Sequence, residues 1–124
     1  MAFPEPEVEI DFEHLGRYLG DDVAVLSEVF GLFKHQVEMW SKLFDVKAGD
    51  EQWRSVMHSL KGSARAIGAK RLASLCEKAE TMVGEMAIES HRGRILEDIQ
   101  FRIDRINIEI GRWEYRQTLA SMRS

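Results

Sequence analysis

Four residues near the middle of the 124-residue chain, His58, Lys61, Gly62 and Ser63, have types and spacing that could do chemistry together. A neutral imidazole is a nucleophile near neutral pH. On a helix, a residue three or four positions on lies over the next turn, so Lys61 and Gly62 both stand beside His58. The chemistry that fits is acceptance of a phosphoryl group by His58. Such transfer depends mostly on positioning and electrostatics, and Lys61 can offset charge on the group in flight. Gly62 has no side chain, so a partner's active site can close over the ring. A glycine inside a helix costs about 1 kcal/mol relative to alanine, and steric access explains why that cost is accepted here. Ser63 either bonds back to the main chain or helps orient a phosphate, and the sequence leaves both open.

The helix that must carry these residues is legible from its apolar stripe: Trp53, Val56, Met57, Leu60, Ala64 and Ile67. At ~100° per residue the stripe is centred between Met57 and Leu60, and His58 falls about 150° away, facing solvent or a groove beside a neighbouring helix. The chain as a whole carries a net charge of −4, yet residues 54 to 76 contain Arg54, Lys61, Arg65, Lys70 and Arg71 and no acid. This local basic surface suits an acidic partner pocket or a phosphate. Arg54 and Arg65 are candidates for partner contact.

The remaining elements follow from periodicity and caps. Residues 1 to 10, with Pro4 and Pro6 and several acids, read as a short solvent-facing tail. A first short helix starts at the cap Asp11 and ends near Gly20, with Phe12, Leu15 and Leu19 on one stripe. A second follows Asp21 or Asp22 and runs to about Phe44, with Leu26, Val29, Phe30, Phe33, Val37 and Trp40 inward. Asp50 is expected to cap the third helix and Gly68 to end it. The fourth places Leu72, Leu75, Cys76, Ala79, Met82 and Val83 inward and stops at Gly84. After a loop over 85 to 89, Ser90 caps a long last helix with Ile95 or Leu96, Ile99, Ile103, Ile106, Ile110 and Trp113 inward, reaching about Leu119. The expected fold is all-α: an antiparallel up-down four-helix bundle with a short extra N-terminal helix, residues 11–124 forming one domain.

Composition excludes several classes. The acidic balance argues against a nucleic-acid binder. The single cysteine, Cys76, permits no internal disulfide and fits a reducing compartment. The acidic N-terminus does not resemble a secretory signal, and no apolar run approaches the ~20 residues that cross a bilayer. A cytoplasmic protein, with no membrane partner, is expected. His14, His35 and His91 read as surface residues without metal-ligand spacing, so no metal site is expected. Cys76 reads as an inert buried thiol, and the arginines of residues 92 to 116 as a solvated face.

His58-x-x-Lys61-Gly62-Ser63, followed by Gly68-Ala69, resembles the signature of histidine-containing phosphotransfer (HPt) domains. The resemblance extends upstream through Leu26, Phe30 and Phe33 and downstream through Leu72, Leu75, Cys76 and Glu80. It implies a four-helix bundle that relays a phosphoryl group between receiver-domain aspartates in a two-component phosphorelay. His58 would be the phosphoacceptor, Lys61 the basic residue beside it, Gly62 the small residue giving access, and Gly68 and Ala69 the turn into the next helix. It further implies response-regulator receivers and a hybrid histidine kinase as partners, with no cofactor of its own and Mg²⁺ held by the receiver. One position departs from the pattern: Glu80 stands where some members carry a glutamine that bonds the histidine's unphosphorylated nitrogen.

Leu19, Val23 and Leu26 are candidates for an apolar docking patch near His58, with core packing the competing reading for each. No Gly-rich loop or P-loop is present, so the chain is expected to be a phosphotransfer intermediate rather than a kinase, and a monomer. A histidine kinase dimerisation domain is disfavoured because Ser59, not an acid, follows His58. The alternative from another class is a non-catalytic adaptor or dimerisation module built on the long last helix.

Overall fold

The computed structural model describes residues 8–123. Five α-helices account for most of the chain. Helix α1 (Phe12–Leu19) is capped by Asp11, whose carboxylate accepts from the His14 N–H at 3.0 Å. That bond, together with the Lys70 ammonium at 3.0 Å, holds the Asp11 carboxyl below its usual range. Gly20 ends the helix at φ 72°, where only glycine sits without strain. Helix α2 (Val23–Ser41) takes Asp22 as its cap, bonding the Ala24 and Val25 N–H groups. It stops three residues before Phe44, in a turn closed by the Leu43 and Phe44 amides on Trp40 and Ser41.

Helix α3 (Asp50–Ala66) carries the central motif. Asp50 does not cap it; Gly49 holds the cap position, and the Asp50 carboxylate reaches across to the Gly84 N–H at 2.8 Å and to Arg92. The turn into helix α4 (Lys70–Glu80) pivots on Gly68, at φ 70°. Its carbonyl accepts from the Asp11 N–H, and a Cβ there would stand 3.2 Å from the Asp11 carbonyl oxygen. Glycine is therefore required both by the backbone conformation and by the close passage of the N-terminal segment. Met82 and Val83 lie beyond α4, half-buried, before a short 3₁₀ turn at Gly84–Met86. Helix α5 (Glu89–Met122) begins after Ile88, so Ser90 is inside its first turn rather than at its cap.

Helices α2 to α5 pack in sequence order, and α5 closes back on α2, completing the bundle. The core joins Phe30, Phe33 and Val37 of α2, Trp53, Met57, Leu60 and Ala64 of α3, Leu72, Cys76 and Ala79 of α4, and the Ile95-to-Trp113 stripe of α5. Across the α2–α5 contact, Phe30 meets Trp113 edge-to-face at 5.1 Å, and Phe12 of α1 covers Phe30 at 6.0 Å.

Two regions differ from the sequence expectation. Arg92 is not on a solvated face. It is fully buried, stacked 4.4 Å from the Trp53 ring, and donates to the Val46, Ala48 and Met82 carbonyls and the Asp50 carboxylate. The three carbonyls belong to the loops at one end of the bundle, and a planar five-donor guanidinium can satisfy them and the carboxylate together. The second region is the N-terminal segment. Of the expected tail, residues 1–7 lie outside the described residues, but Glu9 and Ile10 are buried rather than solvated. Their N–H groups donate to the Glu109 carboxylate at 2.7 and 3.1 Å, and the Glu9 carboxylate pairs with Arg102. No helix among the described residues is long and apolar enough to cross a membrane.

Candidate functional site

His58 projects from the middle of α3 with 73% of its side chain exposed, as its place opposite the stripe requires. Gly62 lies one turn on, and nothing stands within 4 Å of where its Cβ would be. The approach over the ring from that side is open.

Lys61 departs from its expected surface position: its side chain is only 11% exposed. The physical reason is the close packing of α4 along this flank of α3, which covers the aliphatic stem. The ammonium then finds Glu80, at the end of α4, 2.7 Å from Oε1. The same oxygen is 3.4 Å from Nδ1 of His58. Glu80 therefore lies beneath the imidazole on its Nδ1 side, and its charge is answered by Lys61. Nε2 is left facing outward.

Ser63 points the other way, into the α2–α3 contact. Its hydroxyl donates to Gln36 Oε1 at 2.7 Å and lies 3.2 Å from the Ser59 carbonyl. Of the two readings the sequence left open, the bond back to the main chain is present, and the hydroxyl is turned into the bundle. Gln36, its partner on α2, carried no signal in the sequence beyond a polar residue near an apolar stripe.

Arg54 and Arg65 are exposed, one turn before and about two turns after His58 on the same side of α3. The basic surface is narrower than the sequence implies, because Lys61 is paired with Glu80 and Lys70 with Asp11. Leu19 and Arg65 are brought together with Gly62 in a groove of about 410 Å³ between α1 and α3, which His14, Leu15, Tyr18 and Ala66 also line. The exposed Tyr18 was not singled out by the sequence. Val23 is exposed at the first turn of α2, whereas Leu26 is half-buried against the core. Among the described residues no three His, Cys, Asp or Glu side chains cluster as a metal site would require. Cys76 is fully buried on α4, and burial pushes its thiol up to about 12.

An all-helical bundle that presents an exposed histidine supported from below by a carboxylate and opened on one side by a glycine has the makings of a histidine phosphotransfer module. The sequence model of the Hpt domain matches residues 21–114, and the chain belongs to that family. The chain is also similar to a solved structure titled as the histidine phosphotransferase ShpA from Caulobacter crescentus. The TM-score is 0.73 and the identity 27%, over 93% of this chain and 99% of that one. No curated protein matches the sequence. The chain has a phosphorelay role in histidine phosphotransfer, as a relay intermediate rather than a kinase, in a family whose members act with receiver domains and histidine kinases.

Proposed function

We propose that His58 is the residue that carries the phosphoryl group, and that it takes the group from one receiver aspartate and gives it to another. The observation that supports this most is the exposed imidazole with Glu80 at its Nδ1 side and open space over Gly62. With Nδ1 protonated and facing Glu80, Nε2 carries the free lone pair. It attacks the phosphorus of a receiver acyl phosphate; the N–P bond forms, the O–P bond breaks, and the aspartate leaves as a carboxylate. The phosphorylated ring keeps its Nδ1 proton and is cationic, and the Glu80 carboxylate stabilises that charge. Glu80 is thus useful as an anion because it faces the ring edge away from the phosphoryl group. Lys61 holds Glu80 in place and adds positive potential beneath the site. The reverse sequence loads the next receiver.

The receiver supplies the aspartate and its Mg²⁺, and this chain supplies the nucleophile and docking surface. Gly62 admits the receiver's active site. Arg54 and Arg65 flank it with positive charge, and Leu19 and Val23, with Leu26 behind them, offer apolar area on the α1–α2 side. The location that goes with such partners is the cytoplasm. A non-catalytic adaptor role leaves the His58–Glu80–Lys61 arrangement without a purpose. The experiment is incubation with a phosphorylated receiver: wild type gains acid-labile phosphate and His58→Gln gains none. Equal labelling of both, or of neither, contradicts the assignment.

A further inference from the structure

Oε1 of Glu80 is a buried acceptor that the unphosphorylated protein leaves without an aligned donor. The oxygen is closed off from solvent, and among the described residues no hydrogen bond ends on it. Lys61 balances its charge from 2.7 Å, and Nδ1 of His58 stands 3.4 Å away, just beyond the usual N–H···O range. A buried carboxylate oxygen without a donor costs stability. The arrangement is better matched to a cationic ring, whose Nδ1–H would be drawn onto Oε1 as a charge-assisted bond. The ring becomes cationic when Nε2 carries the phosphoryl group.

The Nδ1 proton decides how readily that group departs. When a receiver aspartate or a water attacks the phosphorus, an O–P bond forms, the N–P bond breaks and its electron pair stays on Nε2. A ring that holds its Nδ1 proton departs as neutral imidazole. A ring that has lost the proton has to depart as imidazolate, a far more basic and therefore poorer leaving group.

The charged groups around the ring come from four helices. On α4 they are Glu80 and, one turn earlier, the exposed Glu77; on α3 they are Lys61 beneath and the exposed Arg54 and Arg65. Helix α2 brings neutral Gln36 against Ser63, with His35 and Glu38 exposed nearby, and α1 brings His14 to the groove beyond Gly62. Among the acids of the described residues only Glu80 comes within 4 Å of a His58 nitrogen.

We propose that the charge of Glu80 makes His58 a pass-through carrier and not a store, a role that rests on the assignment of His58 above. The carboxylate holds the proton on Nδ1 of the phosphorylated ring, so the imidazole stays ready to leave and phospho-His58 stays short-lived through neutral pH. Lys61 tempers the same carboxylate from its other side. A glutamine at position 80 can accept the Nδ1–H bond, but it brings no charge, and the proton is then lost at a lower pH. Glu80 is thus a positioning residue, acting through the ring rather than on the phosphoryl group.

The test loads the full chain with phosphoramidate, removes the donor, and follows loss of phosphate from His58 to water and to a receiver from about pH 5 to about pH 9. Release from wild type is expected to stay level through neutral pH before it falls. In Glu80→Gln the fall begins about one pH unit lower, so on that limb phospho-His58 lasts up to about tenfold longer. Lys61→Met moves the fall to higher pH. Glu77→Gln, which removes the same charge one turn away, leaves it in place. Circular dichroism checks the fold of each variant, and if Glu80→Gln does not fold, the direction of the Lys61→Met shift decides. Coincident profiles for wild type and Glu80→Gln overturn the proposal, as do equal slowing at every pH and a downward shift in Lys61→Met. Wild type that gains no phosphate on His58 overturns the assignment of His58 itself, a result distinct from unshifted profiles on a labelled ring.

Discussion

Lys61 and Glu80 form an ion pair at 2.7 Å, bridging α3 and α4 directly beneath His58. A short connection links the two helices through Gly68, and the pair lies in the most extensive helix–helix contact of the bundle. Its effect on stability and its effect on chemistry are separable. Lys61→Met leaves a mostly buried carboxylate without its countercharge and is expected to destabilise the fold by about 1–3 kcal/mol. Adding Glu80→Leu should recover most of that loss, since both polar groups are then gone. Phosphoryl transfer to His58 should stay slow in the double variant, because the Nδ1 acceptor is missing. Urea unfolding and single-turnover transfer, run on the same three proteins, check both halves.

Gly62→Gln separates access from nucleophilicity. Glutamine is a good helix former, and the site has room for a Cβ, so the variant is expected to be more stable by about 0.5–1 kcal/mol. Transfer from a phosphorylated receiver should slow by at least about tenfold, because one side chain now stands where the partner closes. Reaction with a small donor such as phosphoramidate should be nearly unchanged. Equal slowing with both donors would place the effect of Gly62 in the ring's reactivity instead.

Arg92→Leu addresses the far end of the bundle. It removes a buried cation that satisfies the Val46, Ala48 and Met82 carbonyls and the Asp50 carboxylate. A loss of about 3–5 kcal/mol is expected, from carbonyls and an acid left without donors. Thermal or urea unfolding measures it, and transfer rates at temperatures where the variant stays folded should match wild type.

The Cys76 thiol, pushed up to about 12 by burial, makes a pH prediction whose sign is fixed. The folded value is raised above the unfolded one of 9.0, so the native state favours the protonated thiol. Its stabilising effect is complete below pH 9 and is lost as pH rises toward 12. Alkylation at pH 8 should track global unfolding, and Cys76→Ala should flatten the alkaline decline in stability.

Helix order, the α1 and α2 caps and the apolar stripes were legible because each rests on local spacing. The 34-residue α5 buries the isoleucines its periodicity marks, and His58 is exposed where its wheel position puts it. What could not be read is what depends on a second element. Lys61 looks like a surface charge until α4 covers its stem. Asp50 looks like a helix cap until Gly84, from the turn after α4, and Arg92, from the first turns of α5, arrive beside it. Arg92 sits among alternating charges and has no local mark of burial; its role comes from loop carbonyls about ten to forty-six residues away. Glu9 reads as solvated until Arg102 neutralises it. Ser63 belonged to the motif by position, yet Gln36 on α2 decides its direction.

The central claim concerns one nitrogen of one ring. The direct measurement is nitrogen–phosphorus correlated NMR of the full chain after phosphorylation by a receiver, with histidines labelled. The account predicts a single phosphohistidine, at residue 58, with phosphorus on Nε2 and the Nδ1 proton retained toward Glu80. Phosphorus on Nδ1, on another histidine, or on no histidine would contradict it.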